Sequence, residues 1–163
     1  LTNNASVSQL CSQAGDRRSL LRNWAASSSV EQWRRDVPAS TILGMVDATL
    51  SCRFPRSLPR VVKSLLHRLR LNVAFTPYYR HQLGCASSPL CLECGVPATV
   101  EHVLLTCANY TPERRTLERD LLRTDSGPLH LRLILRPWSN GNQNAVLRPF
   151  VKFLRSTGLI DAL

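Results

Sequence analysis

The chain has 163 residues, of which 44% are hydrophobic and 20% charged, and its formal net charge at pH 7 is +10. This size and apolar content predict one folded domain rather than a disordered tail, and no apolar run approaches the ~20 residues of a membrane span. Only Lys63 and Lys152 are lysines among the 21 basic residues. This arginine bias favours a nucleic-acid partner, because guanidinium groups match phosphate and stack on bases. The alternatives are a solvated charged surface and an interface with an acidic neighbouring domain.

The first residues are polar, and we predict a flexible lead-in over residues 1–15 followed by one helical domain over residues 16–163. The chain starts at Leu1 and its only methionine is Met45, so the sequence is not expected to be an intact translated N-terminus. Helical spacing of apolar residues predicts the first helix over residues 17–35.

Two tryptophans, Trp24 and Trp33, follow this helical spacing. Because large aromatic side chains stabilise cores by the area they bury, we interpret both as core anchors, with base-stacking platforms as the alternative. The apolar residues 39–50 then predict a short helix or turn.

The strongest amphipathic pattern covers residues 60–73. Its apolar stripe comprises Val61, Val62, Leu65, Leu66, Leu69 and Val73. The opposite face carries Arg60, Lys63, His67 and Arg70 at positions i, i+3, i+7 and i+10. We predict that these four residues contact nucleic-acid phosphates; a solvated charged face is the alternative.

A short helix is predicted to follow, with Thr76 as its N-cap and Pro77 in its first turn. It places Arg80 beside two tyrosines, a mixture suited to phosphate binding and base stacking, so Arg80 joins the predicted contacts; the tyrosines can equally pack against a small core. His81 and Cys85 are four residues apart, which leaves a Cys/His nucleophile open, although a helical turn with a spare thiol explains the spacing better.

The segment 91–107 carries the pattern C-x2-C-x7-H-x4-C, formed by Cys91, Cys94, His102 and Cys107. Gly95 supplies the turn after the second cysteine, and a short helix is predicted from Val100 to about Ala108, capped by Thr99. Five residues separate His102 from Cys107, so both do not share one face of an ideal helix. We therefore expect the last turn to loosen or tighten.

This ligand set predicts one structural Zn²⁺, because four protein ligands leave no open position for catalysis. The alternatives are three buried thiols with a core histidine, or a Cys91–Cys94 disulfide. The remaining cysteines, Cys11, Cys52 and Cys85, are scattered and odd in number. A reducing intracellular location, cytoplasm or nucleus, is therefore expected.

The C-terminal third is predicted to be helical. We expect helices over residues 112–123 and 129–136, although the second segment also alternates like a strand. A loop over residues 139–144 precedes a last helix that contains Pro149 and stops at Gly158. The arginines of the 112–123 helix, Arg114 included, are expected to point outward.

Several motifs together resemble the C-terminal region of non-LTR retrotransposon polyproteins, similar to the arthropod elements labelled tick transposons. The resemblance covers about residues 30–163. It is carried by residues 66–76, by the Cys/His pattern with Val100, Glu101 and Tyr110, and by residues 153–159, with Trp33 matching a tryptophan that precedes the zinc motif in that family.

The resemblance implies a zinc-binding, nucleic-acid-associated tail that lies after the reverse transcriptase and ribonuclease H domains and contacts RNA or DNA or those domains. The seven-residue gap before His102 differs from the four-residue gap of retroviral zinc knuckles, so their base contacts are not carried over. Polymerases and nucleases need clustered carboxylates, and the eleven acidic residues here form no such cluster. We therefore predict a mainly α, small helical domain with one structural CCHC zinc motif and no catalysis of its own.

Overall fold

The computed structural model describes residues 14–51, 54–124, 126–136 and 143–163, and these segments are mostly helical. No helix within these ranges is both long enough and apolar enough to cross a membrane. In chain order the elements are α1 (Ala14–Asp36), α2 (Ile42–Val46), α3 (Arg60–Arg70), α4 (Pro77–Gln82), a π-helical turn (His102–Thr106), a 3₁₀ turn (Ala108–Tyr110), α5 (Thr111–Leu121), α6 (Leu131–Leu135), α7 (Gln143–Ser156) and α8 (Leu159–Ala162).

The predicted mainly helical fold is confirmed, and the ambiguous segment 129–136 is helical. Its helix, α6, begins behind His130, whose Nδ1 accepts a hydrogen bond from the Leu133 N–H at 2.8 Å. The same N–H also donates to the His130 carbonyl at 3.0 Å, so the cap residue offers two acceptors to the first turn of the helix. The predicted lead-in and the predicted 139–144 loop lie largely outside the described residues.

The core forms where α3, α5, α6 and α7 bury their apolar faces. Phe150 of α7 is completely buried, and α7 runs against α5 along most of its length. Pro149 lies in the middle of α7, farther in than its first turn. The buried side chains include Val62, Leu65, Leu66, Leu69, Leu117, Leu121, Leu131, Leu133, Ile134, Leu135, Val146 and Leu154. Val61, predicted to join the stripe of α3, is exposed.

Most described side chains of the long first helix are exposed, and the contact with Asp47 comes from Trp33 near its end. Trp24 is 68% exposed, so the prediction that it anchors the core is wrong; it lies on a stretch of α1 where Leu20 and Leu21 are also exposed. Trp33 is partly buried, and its indole Nε1–H donates to the Asp47 carbonyl at 2.8 Å. Helical periodicity alone did not distinguish these two tryptophans, because the difference lies in what packs beside each one.

Arg70 is the main correction to the predicted basic face of α3. Its side chain is 4% exposed, its Nε donates to the Leu135 carbonyl at 2.6 Å, and its guanidinium lies 4.3 Å from the Phe54 ring centroid. Burial lowers the pKa of Arg70 to about 10, although the charge of Asp47 acts to raise it. The helix turns this position toward α6, so Arg70 links two core helices instead of contacting phosphate.

Replacing Arg70 with methionine should therefore destabilise the fold. The substitution keeps most of the apolar stem but leaves the buried Leu135 carbonyl without its charged donor, so we expect a loss of about 1–3 kcal/mol in the free energy of unfolding. The matched control, Arg60→Met at an exposed position of the same helix, should change it by less than ~0.5 kcal/mol. Urea denaturation measures both, and equal losses would contradict the structural role of Arg70.

Candidate metal site

The four predicted ligands converge. Ligand atoms of Cys91, Cys94, His102 and Cys107 all lie within 4.8 Å of one another, and the Sγ atoms of Cys91 and Cys107 are 3.7 Å apart. Two thiolates bound at ~2.3 Å to one tetrahedral ion would lie about 3.8 Å apart. The described cysteines are all free, so the alternative of a Cys91–Cys94 disulfide is not found. This group can hold a metal ion.

A tight backbone turn presents the first two cysteines. The Gly95 N–H donates to the Cys91 carbonyl at 2.9 Å, and the Cys91 N–H donates to the Val96 carbonyl at 2.8 Å. Gly95 closes the turn with φ of +68°, a conformation that costs glycine little because it has no Cβ. An isolated antiparallel bridge between Leu90 and Pro97 holds the two arms of this turn together.

The other two ligands come from a helical segment that changes its winding. Thr99 caps the segment, its Oγ1 accepting the His102 N–H at 3.1 Å. The Cys107 N–H then donates to the His102 carbonyl at 2.8 Å, a bond between residues five apart. Such i→i+5 bonds define π-helix, which brings residues five apart close together. The last turn was predicted to loosen or tighten; it loosens, and this places Cys107 beside His102.

The His102 ring is oriented for coordination. It is 9% exposed, and its Nδ1 lies 3.0 Å from Thr106 Oγ1, which is also 3.4 Å from the His102 carbonyl. Its Nε2 is buried and has no hydrogen-bond partner among the described residues. A hydroxyl that accepts from Nδ1–H leaves the lone pair of Nε2 available, which is the arrangement that metal-bound histidines use.

The thiols differ in acidity. Burial acts to raise the pKa of Cys91, but the neighbouring His102 imidazole and the backbone N–H groups of Cys94 and Glu93 together lower it to about 6. Burial, with a smaller contribution from the nearby Cys91, raises the pKa of Cys107 to about 11, although a backbone hydrogen bond from Asn109 opposes the shift. The two pKa shifts have opposite directions, so Cys91 is the more easily ionised of the two thiols, and a metal ion binds both as thiolates.

Arg114 of α5 supports the site, and its predicted outward orientation is wrong. It is 7% exposed; its Nε donates to the Leu104 carbonyl at 3.1 Å and its guanidinium to the Cys107 carbonyl at 2.6 Å. Burial lowers its pKa, while charges including that of Cys107 act to raise it. Arg114, Leu117 and Leu121 are spaced at i, i+3 and i+7, which places them on one face of the helix. This spacing could have predicted that Arg114 is buried with the two leucines.

The predicted phosphate contacts fall into separate places. Arg60 and His67 are exposed on α3, and Lys63 is half-buried with its Nζ donating to the Arg56 carbonyl at 3.0 Å. Arg80 is exposed on α4 and lines a cavity of about 400 Å³ together with Cys107 and other residues near the metal ligands. Of the predicted set, the structure brings Arg80 to the metal site, while Arg70 is turned into the core.

Cys85, the thiol predicted to be spare, makes its hydrogen bond to a backbone carbonyl. Cys85 is exposed, and its Sγ lies 3.6 Å from the Leu83 carbonyl.

No family model, no curated protein and no solved structure matches this chain. The resemblance to retrotransposon polyproteins therefore stays a prediction.

Replacing Thr106 with valine should weaken metal binding without removing a ligand. Valine keeps the shape but cannot accept the Nδ1–H of His102, and loss of such a partner typically costs 10–100-fold in affinity. Thr116→Val is the control, because Thr116 Oγ1 donates to the Pro112 carbonyl of its own helix and is not one of the groups around the metal ligands. Competition with a chromophoric chelator, using Co²⁺ as a visible probe, measures the difference; equal affinities would contradict this role for Thr106.

Proposed function

We propose that this metal site holds Zn²⁺ in a structural role. The observation that carries this proposal is the convergence of three thiols and one unpaired, buried imidazole nitrogen in a space of tetrahedral size. Thiolate and imidazole donors suit Zn²⁺, and four protein ligands leave no position for a reacting water. The ion would fasten the 91–95 turn to the π-helical turn.

Metal analysis tests this directly. The purified chain should contain one Zn²⁺ per molecule, and Cys94→Ser should reduce the content to near zero because it removes a partly exposed ligand thiol. Cys85→Ser, which removes an exposed thiol outside the cluster, is the control and should keep full zinc content. Chelation by EDTA should lower the melting temperature of the Cys85→Ser chain but not that of the Cys94→Ser chain. Equal zinc content in both variants would refute the assignment.

We propose, second, that the chain is a non-catalytic nucleic-acid-binding accessory domain of a retrotransposon-type reverse transcriptase polyprotein. The excess of arginine supports this proposal, because the acidic residues do not balance it and the net charge is +10. Exposed Arg60 and Arg80 have no anionic partner within the described ranges. Unpaired cations attract a polyanion, and releasing its counterions drives binding.

The cavity beside the metal ligands suits such a ligand. Phe75 and Tyr110 line it together with Arg80, so ring faces for stacking and a cation for phosphate lie in one place. Phe75 is exposed and already has the Arg68 guanidinium 5.3 Å from its ring centroid. In this proposal zinc acts indirectly, because it fixes the wall of the cavity that Cys91 and Cys107 supply.

A salt titration tests the nucleic-acid proposal. Affinity for a fluorescein-labelled 20-nucleotide RNA or DNA should fall steeply and log-linearly with salt. Arg60→Gln and Arg80→Gln should each weaken binding and reduce the slope by about one phosphate contact. Arg119→Gln, at an exposed position of α5, should have a smaller effect.

A salt-independent affinity, or equal effects of all three substitutions, would refute it. Retention of the chain on the upstream reverse transcriptase or ribonuclease H domain at high salt would then favour the alternative, a structural module that docks on those domains.

A further inference from the structure

A second concave site lies away from the metal ligands, between the start of α3 and the outer side of α7. It is a groove of about 660 Å³. Leu58 and Pro59 supply its accessible apolar surface, and Leu147 and Val151, which are largely buried, lie at its floor. None of the four metal ligands lines it, and its volume falls within the ~300–1,000 Å³ typical of binding clefts.

Three cations of α7 border this apolar surface. Arg148, Lys152 and Arg155 are exposed and follow one another at i, i+4 and i+7, so they run along one side of the helix for about 10 Å. Lys152 lies 3.4 Å from Asp120, a solvent-exposed pair of little strength. Arg148 and Arg155 have no anionic partner in the described part of the chain, so the groove has unbalanced positive charge.

The start of α3 adds to this positive field. Pro59, which lines the groove, is the N-cap residue of α3 and provides no side-chain hydrogen bond. The first turn of α3 contains no acidic residue either. The first N–H groups of the helix have no acceptors within it, and its dipole is positive at this end. A carboxylate supplied from outside would therefore be favourable here.

We propose that this groove binds a short acidic, amphipathic segment of a partner protein. Two or three apolar side chains of the segment pack on Leu58 and Pro59 above the groove floor, and its flanking Asp or Glu side chains pair with Arg148 and Arg155. The apolar surface favours a peptide over a nucleic acid, because a phosphodiester backbone would satisfy the cations but leave that surface uncovered. An apolar face with charged flanks is the usual form of a helix bound in a groove.

The first experiment selects ligands without assuming a partner. A random 16-residue peptide library displayed on phage is panned on the zinc-loaded full chain at physiological salt. The enriched peptides should be net negative and should contain at least two large apolar residues. The leading peptide is then synthesised with a fluorescein label, and its affinity for the chain is measured by anisotropy.

Charge reversal maps the binding to the groove. Arg148→Glu with Arg155→Glu should weaken the peptide at least tenfold, and a peptide with lysine in place of its acidic residues should recover binding to that variant. The matched control, Arg119→Glu with Arg132→Glu, makes the same change in net charge at exposed positions of α5 and α6 and should leave affinity within about twofold. Unchanged melting temperature and zinc content confirm that each variant is folded.

A steric variant tests the apolar part separately. Asn144 is exposed and lines the groove, so Asn144→Trp should obstruct the groove without disturbing the core and should weaken the peptide at least tenfold.

Three outcomes would overturn the proposal: no acidic peptide is enriched, the selected peptide binds the charge-reversed and control variants equally, or wild-type chain forms dimers that the groove substitutions dissociate. It would also fall if a 20-nucleotide RNA displaced the peptide and lost affinity to the same extent in the charge-reversed variant. The groove would then be a nucleic-acid contact. Failure of the salt titration at Arg60 and Arg80 leaves this result unaffected, so the two proposals can fail separately.

Discussion

One backbone hydrogen bond determines the geometry of the candidate metal site: the Cys107 N–H donates to the His102 carbonyl, five residues back. An ideal α-helix pairs residues four apart and would turn these two side chains away from each other. The extra residue in the π-helical turn places the side chains of His102 and Cys107 on the same side of the segment. The backbone turn from Cys91 to Gly95 brings the thiols of Cys91 and Cys94 to that side. The cost of the irregular turn is offset where its carbonyls find other donors.

Buried arginine provides part of that compensation. Arg114 donates to the Leu104 and Cys107 carbonyls at the end of the π-helical turn, and Arg70 donates to the Leu135 carbonyl between α3 and α6. Both arginines therefore stabilise irregular or terminal backbone inside the domain. The composition does not reveal this use, since a count of charges treats buried and exposed guanidinium groups alike. Only the exposed arginines are available to bind a polyanion or an acidic peptide.

Two surfaces with different chemistry each present some of these exposed arginines. Arg80 lines a cavity with Phe75 and Tyr110 beside the metal ligands, where rings and a cation suit a nucleotide. Arg148 and Arg155 border a groove whose surface is mainly aliphatic, which suits a peptide. The proposed accessory role uses both kinds of contact, because an accessory domain acts by holding a template or a partner.

The sequence by itself determined the ligand set, the Gly95 turn, the Thr99 cap and the helical class, because ligand spacing, positive φ and capping are local properties. It also required an irregular turn before Cys107, though not which kind. Only the tertiary structure decided which side chains the core encloses: Trp24 is exposed, Arg70 and Arg114 are buried, and His130 caps α6. Those outcomes depend on neighbours distant in sequence, such as Leu135 for Arg70, and helical periodicity contains no information about what packs on the other side.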